Sequence, residues 1–574
     1  MWKFLLGVLI GIIVTVVGVF IVFLAVGRIF ANKAPSVAAN SALVLSLRGD
    51  IPEAAPVDVN LPLLQQQAAP TVRDIWTSLR QAASDNRIKA VVLEPRGVRA
   101  GWGRLEEIRQ EILNFKRSGK PVYAYLQNPG SHEYYLASAA DRIFLSPGDM
   151  LEVKGFLLEA MYFKNGLDKL GVQVQVDHIG RYKDAGDVLT RDSMSPETRE
   201  VLGQVLDQLY NDFCSTVGQG RHKSAEDVKA LIDQGPFTAD QAKANGLVDQ
   251  LAYPDEVFGE LQRRTAISKL NRLDIRTYFR AAPGQGDRIA LLVGDGDIVQ
   301  GDSGNGFGDT NEIADRSFIK LVRQVREDSG VKGVILRINS PGGDALASDV
   351  ILHELKLLSR AKPTVISMSD VAASGGYYMA MTGDPVVAYP DTITGSIGVL
   401  YARPVVHGLF DKLGIQSDRL SRGKLAEMDS AFVPLSDAAR QKLHEAIQTT
   451  YKLFVSKVAT ARKKAYDQIE PIAQGRVWMG AQARQNGLVD QLGGLDQAVT
   501  MIRQKAHLSP GGETNLVLYP PRKSLLELLT NTSPEALQDA AAESKLRSML
   551  PALPGRALLH GGMLRILPYR IEIR

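Results

Sequence analysis

The heptapeptide Asn245-Gly246-Leu247-Val248-Asp249-Gln250-Leu251 recurs unchanged as Asn486-Gly487-Leu488-Val489-Asp490-Gln491-Leu492, 241 positions further along the chain. Asp168-Lys169-Leu170-Gly171 returns as Asp411-Lys412-Leu413-Gly414, and Tyr134-Tyr135 as Tyr377-Tyr378, both at an offset of 243. Three landmarks at nearly one spacing mark a tandem duplication of a single domain. The copies differ where chemistry would sit. The second has Asn339-Ser340-Pro341-Gly342-Gly343 after one apolar run and Ala373-Ser374-Gly375-Gly376 after another. At the matching places the first reads Glu94-Pro95-Arg96-Gly97 and Gly130-Ser131-His132-Glu133. At these two turns the second copy looks armed and the first disarmed.

Working outward, each copy opens with a strand-like run, Ala42 to Leu45 and Ile289 to Val293. Further buried-strand patterns follow at Ala90 to Leu93, Gly333 to Leu336 and Thr364 to Met368. Helical periodicity fills Phe318 to Glu327, Asp349 to Ser359 and Asp437 to Lys464. Short apolar strands alternating with amphipathic helices predict α/β domains with a mostly parallel sheet. The expected organisation is an anchor over 1–30, a linker over 31–40, a first copy over 41–280, a second over 281–510, and an extension over 511–574. That extension, with an amphipathic patch from Leu525 to Leu529 and a tail through Arg565 to Arg570, has no apparent counterpart in the first copy. It is read as a peripheral or subunit-contacting piece.

At 574 residues the chain is too long for one core. Its 45% apolar and 23% charged content is that of an ordinary globular protein. A net charge of +4 with no basic stripe excludes a nucleic-acid footprint. The single cysteine, Cys214, cannot form an internal disulfide and reads as a small core residue. Phe4 to Val26 carries no charge over 23 positions, long enough for one transmembrane helix and longer than a signal-peptide core. Lys3 on one side and Arg28 and Lys33 on the other leave its orientation open by charge counting.

A serine among small residues, where a strand turns into a helix, can present its hydroxyl at the helix N-terminus, where free N–H groups favour developing negative charge. Ser374 is so placed, and Gly375 leaves its own N–H approachable. The neighbouring Ser-Pro-Gly-Gly turn can supply a second donor, the N–H of Gly343, and two such donors form an oxyanion hole. A serine hydroxyl still needs a base. None of the eight histidines forms a motif with Ser374; His407 is the nearest downstream candidate.

Asn339 to Gly343, Ala372 to Tyr377, Thr394-Gly395-Ser396-Ile397-Gly398, and Gly475-Arg476-Val477-Trp478 with Asn486 to Asp490 together resemble the signal peptide peptidase A (protease IV) family in its long, tandem, membrane-anchored form. The resemblance spans roughly residues 40 to 510. It implies two Clp/crotonase-like domains, a Ser-Lys dyad, no cofactor and no metal, a homotetramer, and a bacterial inner-membrane location with the catalytic domains in the periplasm. The family's lysine lies in a Tyr-Lys-x-Ala segment followed by Met-Ser-Pro-Glu. Here that segment is Arg181-Tyr182-Lys183-Asp184-Ala185 with Met194-Ser195-Pro196-Glu197, so Lys183 is the expected base. A lysine working near neutrality must lose roughly three pKa units, about 4 kcal/mol, and burial is the usual means. Asp184 and Asp187 are therefore expected to face away from the amine.

Lys424, in Arg422-Gly423-Lys424-Leu425-Ala426, occupies the position equivalent to Lys183 and is the rival base. Ser131 stands where the second copy has Ser374, but His132-Glu133 in place of Gly-Gly argues against a second working site. The substrate implied is an extended, largely apolar peptide, such as a released signal peptide. Thr394 to Gly398 is expected to receive it as an open edge strand. The rival functions are a crotonase-type acyl-CoA enzyme, which would use the same two N–H groups, and a non-catalytic membrane scaffold.

Overall fold

The apolar runs read as buried strands form the centres of two parallel sheets built to one plan. The computed structural model describes residues 35–54, 69–281, 284–302 and 312–521, the backbone of 57–58, 523–524 and 562–566, and five isolated helical positions near the N-terminus. In the first copy six parallel strands lie in the order Asn271–Asp274, Ser41–Asp50, Ile88–Arg99, Val122–Leu126, Arg142–Leu145, Gln250–Leu251. In the second, Thr514–Tyr519, Asp287–Asp295, Gly333–Ser340, Thr364–Ala373, Val386–Ala388 and Gln491–Leu492 repeat that order. Val91, Val92, Ile335 and Leu336 are completely buried, because helices cover both faces, and such strands read as unbroken apolar runs.

The last strand moves one expected boundary. Thr514–Tyr519 pairs with Asp287–Asp295 just as Asn271–Asp274 pairs with Ser41–Asp50, so the second copy continues through Tyr519 rather than ending at 510. The helical patterns are realised as Asp315–Glu327, Ala345–Ala361 and Asp437–Arg462. Asp437–Arg462 has a twin of equal length, Pro196–Arg221, and both are capped by serine. Ser195 accepts from the Thr198 N–H and Ser436 from the Ala439 N–H, satisfying a free first-turn donor in each. Cys214 is buried within Pro196–Arg221, and burial pushes its thiol up to about 11.

The copies are joined beside the strand that ends at Ser374. The backbone N–H groups of Gly101 and Arg104, at the start of helix Trp102–Lys116, donate to Asp370 of that strand at 3.0 and 2.7 Å. A Cβ on Gly103 would lie 2.8 Å from the Ser369 carbonyl oxygen, so glycine permits this close approach. Behind it, fully buried Arg337 of the second copy contacts Glu53 at 2.9 Å and Glu107 at 3.0 Å, both from the first. Burial pushes the Glu107 carboxyl up to about 7 despite the attraction of Arg337.

A third sheet crosses between the copies. Its order is Glu312–Ala314, Asp297–Val299, Gly342–Asp344, Gly562–Ile566, Val399–Val405, Gln173–Ile179. The final pair joins first-copy residues to second-copy residues antiparallel, from Val399 opposite Ile179 to Val405 opposite Gln173. Among the described residues no helix is long and apolar enough to cross a membrane. The expected anchor, Phe4 to Val26, lies outside the described residues except for the five isolated positions, and so does Leu525 to Leu529.

Candidate active site

Strand Thr364–Ala373 stops at Ser374, and helix Gly375–Met379 begins immediately after it. Ser374 has φ 53° and ψ −112°, a left-sided conformation that is costly for a residue with a Cβ. Two backbone bonds hold it there. Its N–H donates to the Gly395 carbonyl at 2.8 Å, and its carbonyl accepts from the Tyr378 N–H at 2.8 Å. The sharp strand-to-helix turn aims the side chain out of the sheet. A Cβ on Gly376 would lie 2.5 Å from the Ser340 carbonyl oxygen, so the two glycine turns pack against each other as the sequence suggested. Gly343, at φ 153°, admits no side chain because a Cβ would meet the Ile298 carbonyl oxygen at 2.0 Å.

Lys183 arrives from the other copy. Beyond strand Gln173–Ile179 the chain turns at Gly180, the Tyr182 N–H donates to the Gln474 carbonyl at 2.8 Å, and Lys183 becomes completely buried. Its Nζ lies 2.9 Å from Ser374 Oγ, 3.0 Å from Ser396 Oγ and 3.1 Å from the Ser396 carbonyl oxygen. Burial disfavours an ammonium, and the neutral amine can donate to Ser396 while its lone pair accepts the Ser374 proton. Two glycines make room for the lysine. A Cβ on Gly475, at φ 73°, would come within 2.6 Å of Lys183 N and Cβ, and one on Gly398 within 3.0 Å of Lys183 Cδ. Arg476 then secures the join, its guanidinium 4.6 Å from the Tyr182 ring centroid and 4.7 Å from that of Trp478, with a 2.8 Å bond to Glu200. The carboxylates beside Lys183 turn elsewhere: Asp184 accepts from Thr198 Oγ1, and Asp187 faces Arg191 at 3.6 Å. Burial, and then the Asp184 charge, push the Asp187 carboxyl up.

The expected open edge at Thr394 to Gly398 does not exist. Strand Ile393–Gly395 is paired on both sides, with Val371 to Ala373 and with Val477–Met479. The Ser396 N–H donates to the Arg476 carbonyl at 2.7 Å, and the Ile397 carbonyl accepts from the Gly475 N–H at 2.8 Å. Thr394, Ser396 and Ile397 are completely buried. Small residues here serve close packing around Lys183 instead of access, and Ser396 gains a role at the amine that sequence reasoning had not given it. Lys424 sits on an exposed turn, and His407 is exposed and paired with Asp411 at 3.3 Å, so neither shares the buried site.

The first copy has filled its equivalent site with a carboxylate. Glu133 Oε1 accepts from the Val98 N–H at 2.6 Å and its Oε2 from the Gly130 N–H at 2.9 Å. Backbone donors in the two turns corresponding to those around Ser374 are thereby occupied by a fixed side chain, beside Ser131. Among the described residues no group of His, Cys, Asp and Glu could hold a metal.

A serine held at a strained strand-to-helix turn against a buried lysine amine, on duplicated α/β domains, defines a serine peptidase. The family model described as peptidase family S49 matches residues 114–268 and 356–509, one match in each copy. The chain is 37% identical over 513 residues to the chloroplastic serine protease SPPA of Arabidopsis thaliana, covering 88% of this chain and 75% of that protein. It is 35% identical over 496 residues to protease 4 of Salmonella typhi, covering 83% and 78%, and 33% identical over 455 residues to protease 4 of Haemophilus influenzae, covering 75% and 72%. This chain belongs to peptidase family S49. The acyl-CoA enzyme and the inert scaffold are left without support.

Gly475→Ala is expected to push Lys183 off Ser374. Since misplacement by about 1 Å can cost on the order of 100-fold, kcat for peptide hydrolysis should fall by that order while far-UV circular dichroism is unchanged. An unchanged kcat would show that the close approach at Gly475 does not set the lysine.

Proposed function

We propose that the chain is a membrane-anchored endopeptidase that cuts extended, largely apolar peptides, released signal peptides among them, with Ser374 as nucleophile and Lys183 as general base. The observation that carries this is the buried 2.9 Å contact between Lys183 Nζ and Ser374 Oγ. Lys183 takes the hydroxyl proton as Oγ attacks the scissile carbonyl, and the tetrahedral oxyanion is held by the N–H groups of Gly343 and Gly375. The ammonium so formed returns the proton to the leaving amine. Water, deprotonated by the same amine, then hydrolyses the acyl-serine. Ser396 keeps the amine aimed through both halves. Ser374→Ala and Lys183→Ala should each abolish hydrolysis of an apolar peptide in a folded protein, and Lys424→Ala should leave it intact. Full activity in folded Lys183→Ala, or loss in Lys424→Ala alone, would move the base elsewhere.

The substrate strand fits between Gly342–Asp344 and Val399–Val405 rather than at Thr394 to Gly398. Those two strands adjoin the serine-side turn and the lysine-packed Gly398 respectively, so a peptide between them passes both reactive groups. Main-chain pairing gives affinity with little sequence demand, consistent with broad specificity.

The homotetramer is supported by what the duplication leaves over. Within one chain, Gln173–Ile179 of the first copy pairs with Val399–Val405 of the second. At the same offset, the second copy's Gln416 to Arg422 is exposed and outside any strand, and the first copy's Phe156 to Tyr162 has no regular structure beyond a single bridge residue at Leu158, with Leu157 54% and Met161 57% exposed. Joining these between chains repeats the internal contact head to tail, and such a heterologous contact closes into a ring when its rotation divides a full turn. Leu420, 95% exposed, marks the donor segment. Leu420→Arg should reduce the sedimenting species from tetramer to monomer; an unchanged tetramer would place the contact elsewhere.

The uncharged stretch from Phe4 to Val26 supports a single-pass anchor in a bacterial inner membrane, and the family resemblance supports a periplasmic catalytic unit. Protease added to spheroplasts should then digest the bulk of the chain. Complete protection would reverse the orientation.

A further inference from the structure

The slot assigned above to a peptide substrate is occupied by the chain itself. Gly562–Ile566 lies antiparallel between both walls. On one side Ile566, Arg565 and Leu564 stand opposite Gly342, Gly343 and Asp344. On the other, Leu564, Met563 and Gly562 stand opposite Leu400, Tyr401 and Ala402. Arg565 is therefore level with Gly343, the residue whose N–H is assigned to the oxyanion. The wall Gly342–Asp344 follows the Ser340-Pro341 turn, against which Gly376 packs two residues after Ser374. The wall Val399–Val405 follows Gly398, which packs on Lys183. No other described strand lies between these walls.

Main-chain pairing of this kind does not distinguish a segment of the chain from a substrate peptide, and Gly-Met-Leu-Arg-Ile is largely apolar, like the substrates inferred above. A tethered strand also enjoys a high effective concentration at its slot. A ligand that needs the empty slot then binds more weakly, by the fraction of molecules in which the slot is empty.

We propose that Gly562–Ile566 is a built-in competitor of the substrate, holding the peptide slot closed until an incoming peptide displaces it. This rests on the peptidase reading for the identity of the slot, yet its test needs no turnover. In full-length Ser374→Ala protein, a fluorescein-labelled ten-residue peptide rich in leucine and alanine reports binding by anisotropy. Leu564→Pro, added to that background, removes an N–H from the middle of the competing strand and distorts its pairing. The second protein is expected to bind the peptide at least fivefold more tightly, and an unlabelled peptide containing Gly-Met-Leu-Arg-Ile should compete with the label. Equal or weaker binding after Leu564→Pro would overturn the proposal, because the strand would then be a fixed wall of the site. Hydrogen exchange of the unsubstituted chain covers the case of a misfolded variant. Amides 562–566 should exchange faster when the peptide is added, and exchange that does not change would also overturn it. Failure of the peptidase reading itself shows separately, as failure of a serine-directed phosphonate to label Ser374 in the unsubstituted protein and in Leu564→Pro alike.

Discussion

The antiparallel pairing of Gln173–Ile179 with Val399–Val405 is the contact on which the site depends. Lys183 lies four residues beyond that strand and in the other copy from Ser374, so the register of the pairing sets where its amine can reach. A slip of one residue would move the lysine by about 3.3 Å and turn alternate side chains to the opposite face. The register is fixed where backbones touch. Gly180 lies against Gln474, and Gly475 lies against Lys183 itself, each too closely for a side chain. Arg476, lying over Tyr182 and Trp478, ties the same two segments from the outside.

Duplication explains how an active site came to be divided in this way. Both copies keep the sheet, the long capped helix and the Asn-Gly-Leu-Val-Asp turn, where Arg221 binds Asp249 and Arg462 binds Asp490. Each therefore remains a stable scaffold. The first copy, with Glu133 bonded to the donors of its own turns, supplies the lysine arm and the helix that grips, through Asp370, the strand leading into Ser374. Strain at Ser374 is held in place by this surrounding structure, as strained functional residues generally are.

How much of this was legible in the sequence depended on how local the cause was. Buried parallel strands declare themselves by unbroken apolar runs, and Ser374 by the turn around it. Thr514–Tyr519 is not legible in this way because its pattern alternates beyond a Pro-Gly-Gly break and only Leu516, Leu518 and Tyr519 are buried. Lys183 looks by its own neighbours like any surface lysine. The groups that bury it, Ser396, Gly398 and Gly475, lie more than 200 positions away, so only the family pattern pointed to it. Thr394 to Gly398 misled for a related reason. Small residues signal close backbone approach, but the sequence does not say whether a peptide or another part of the chain approaches. Gly562–Ile566 lay in a tail with no recognised motif.

Catalysis turns on whether an amine at position 183 performs the proton transfer. Lys183→Cys in a Cys214→Ala background, which leaves position 183 as the one thiol, is alkylated while unfolded and then refolded. Aminoethylation rebuilds a lysine-like side chain, whereas ethylation restores the bulk without the amine. Negligible peptide hydrolysis is expected of Lys183→Cys and of its ethylated form, with substantial activity returning only on aminoethylation. Equal activity in the ethylated and aminoethylated proteins would show that the amine at position 183 does not carry the proton.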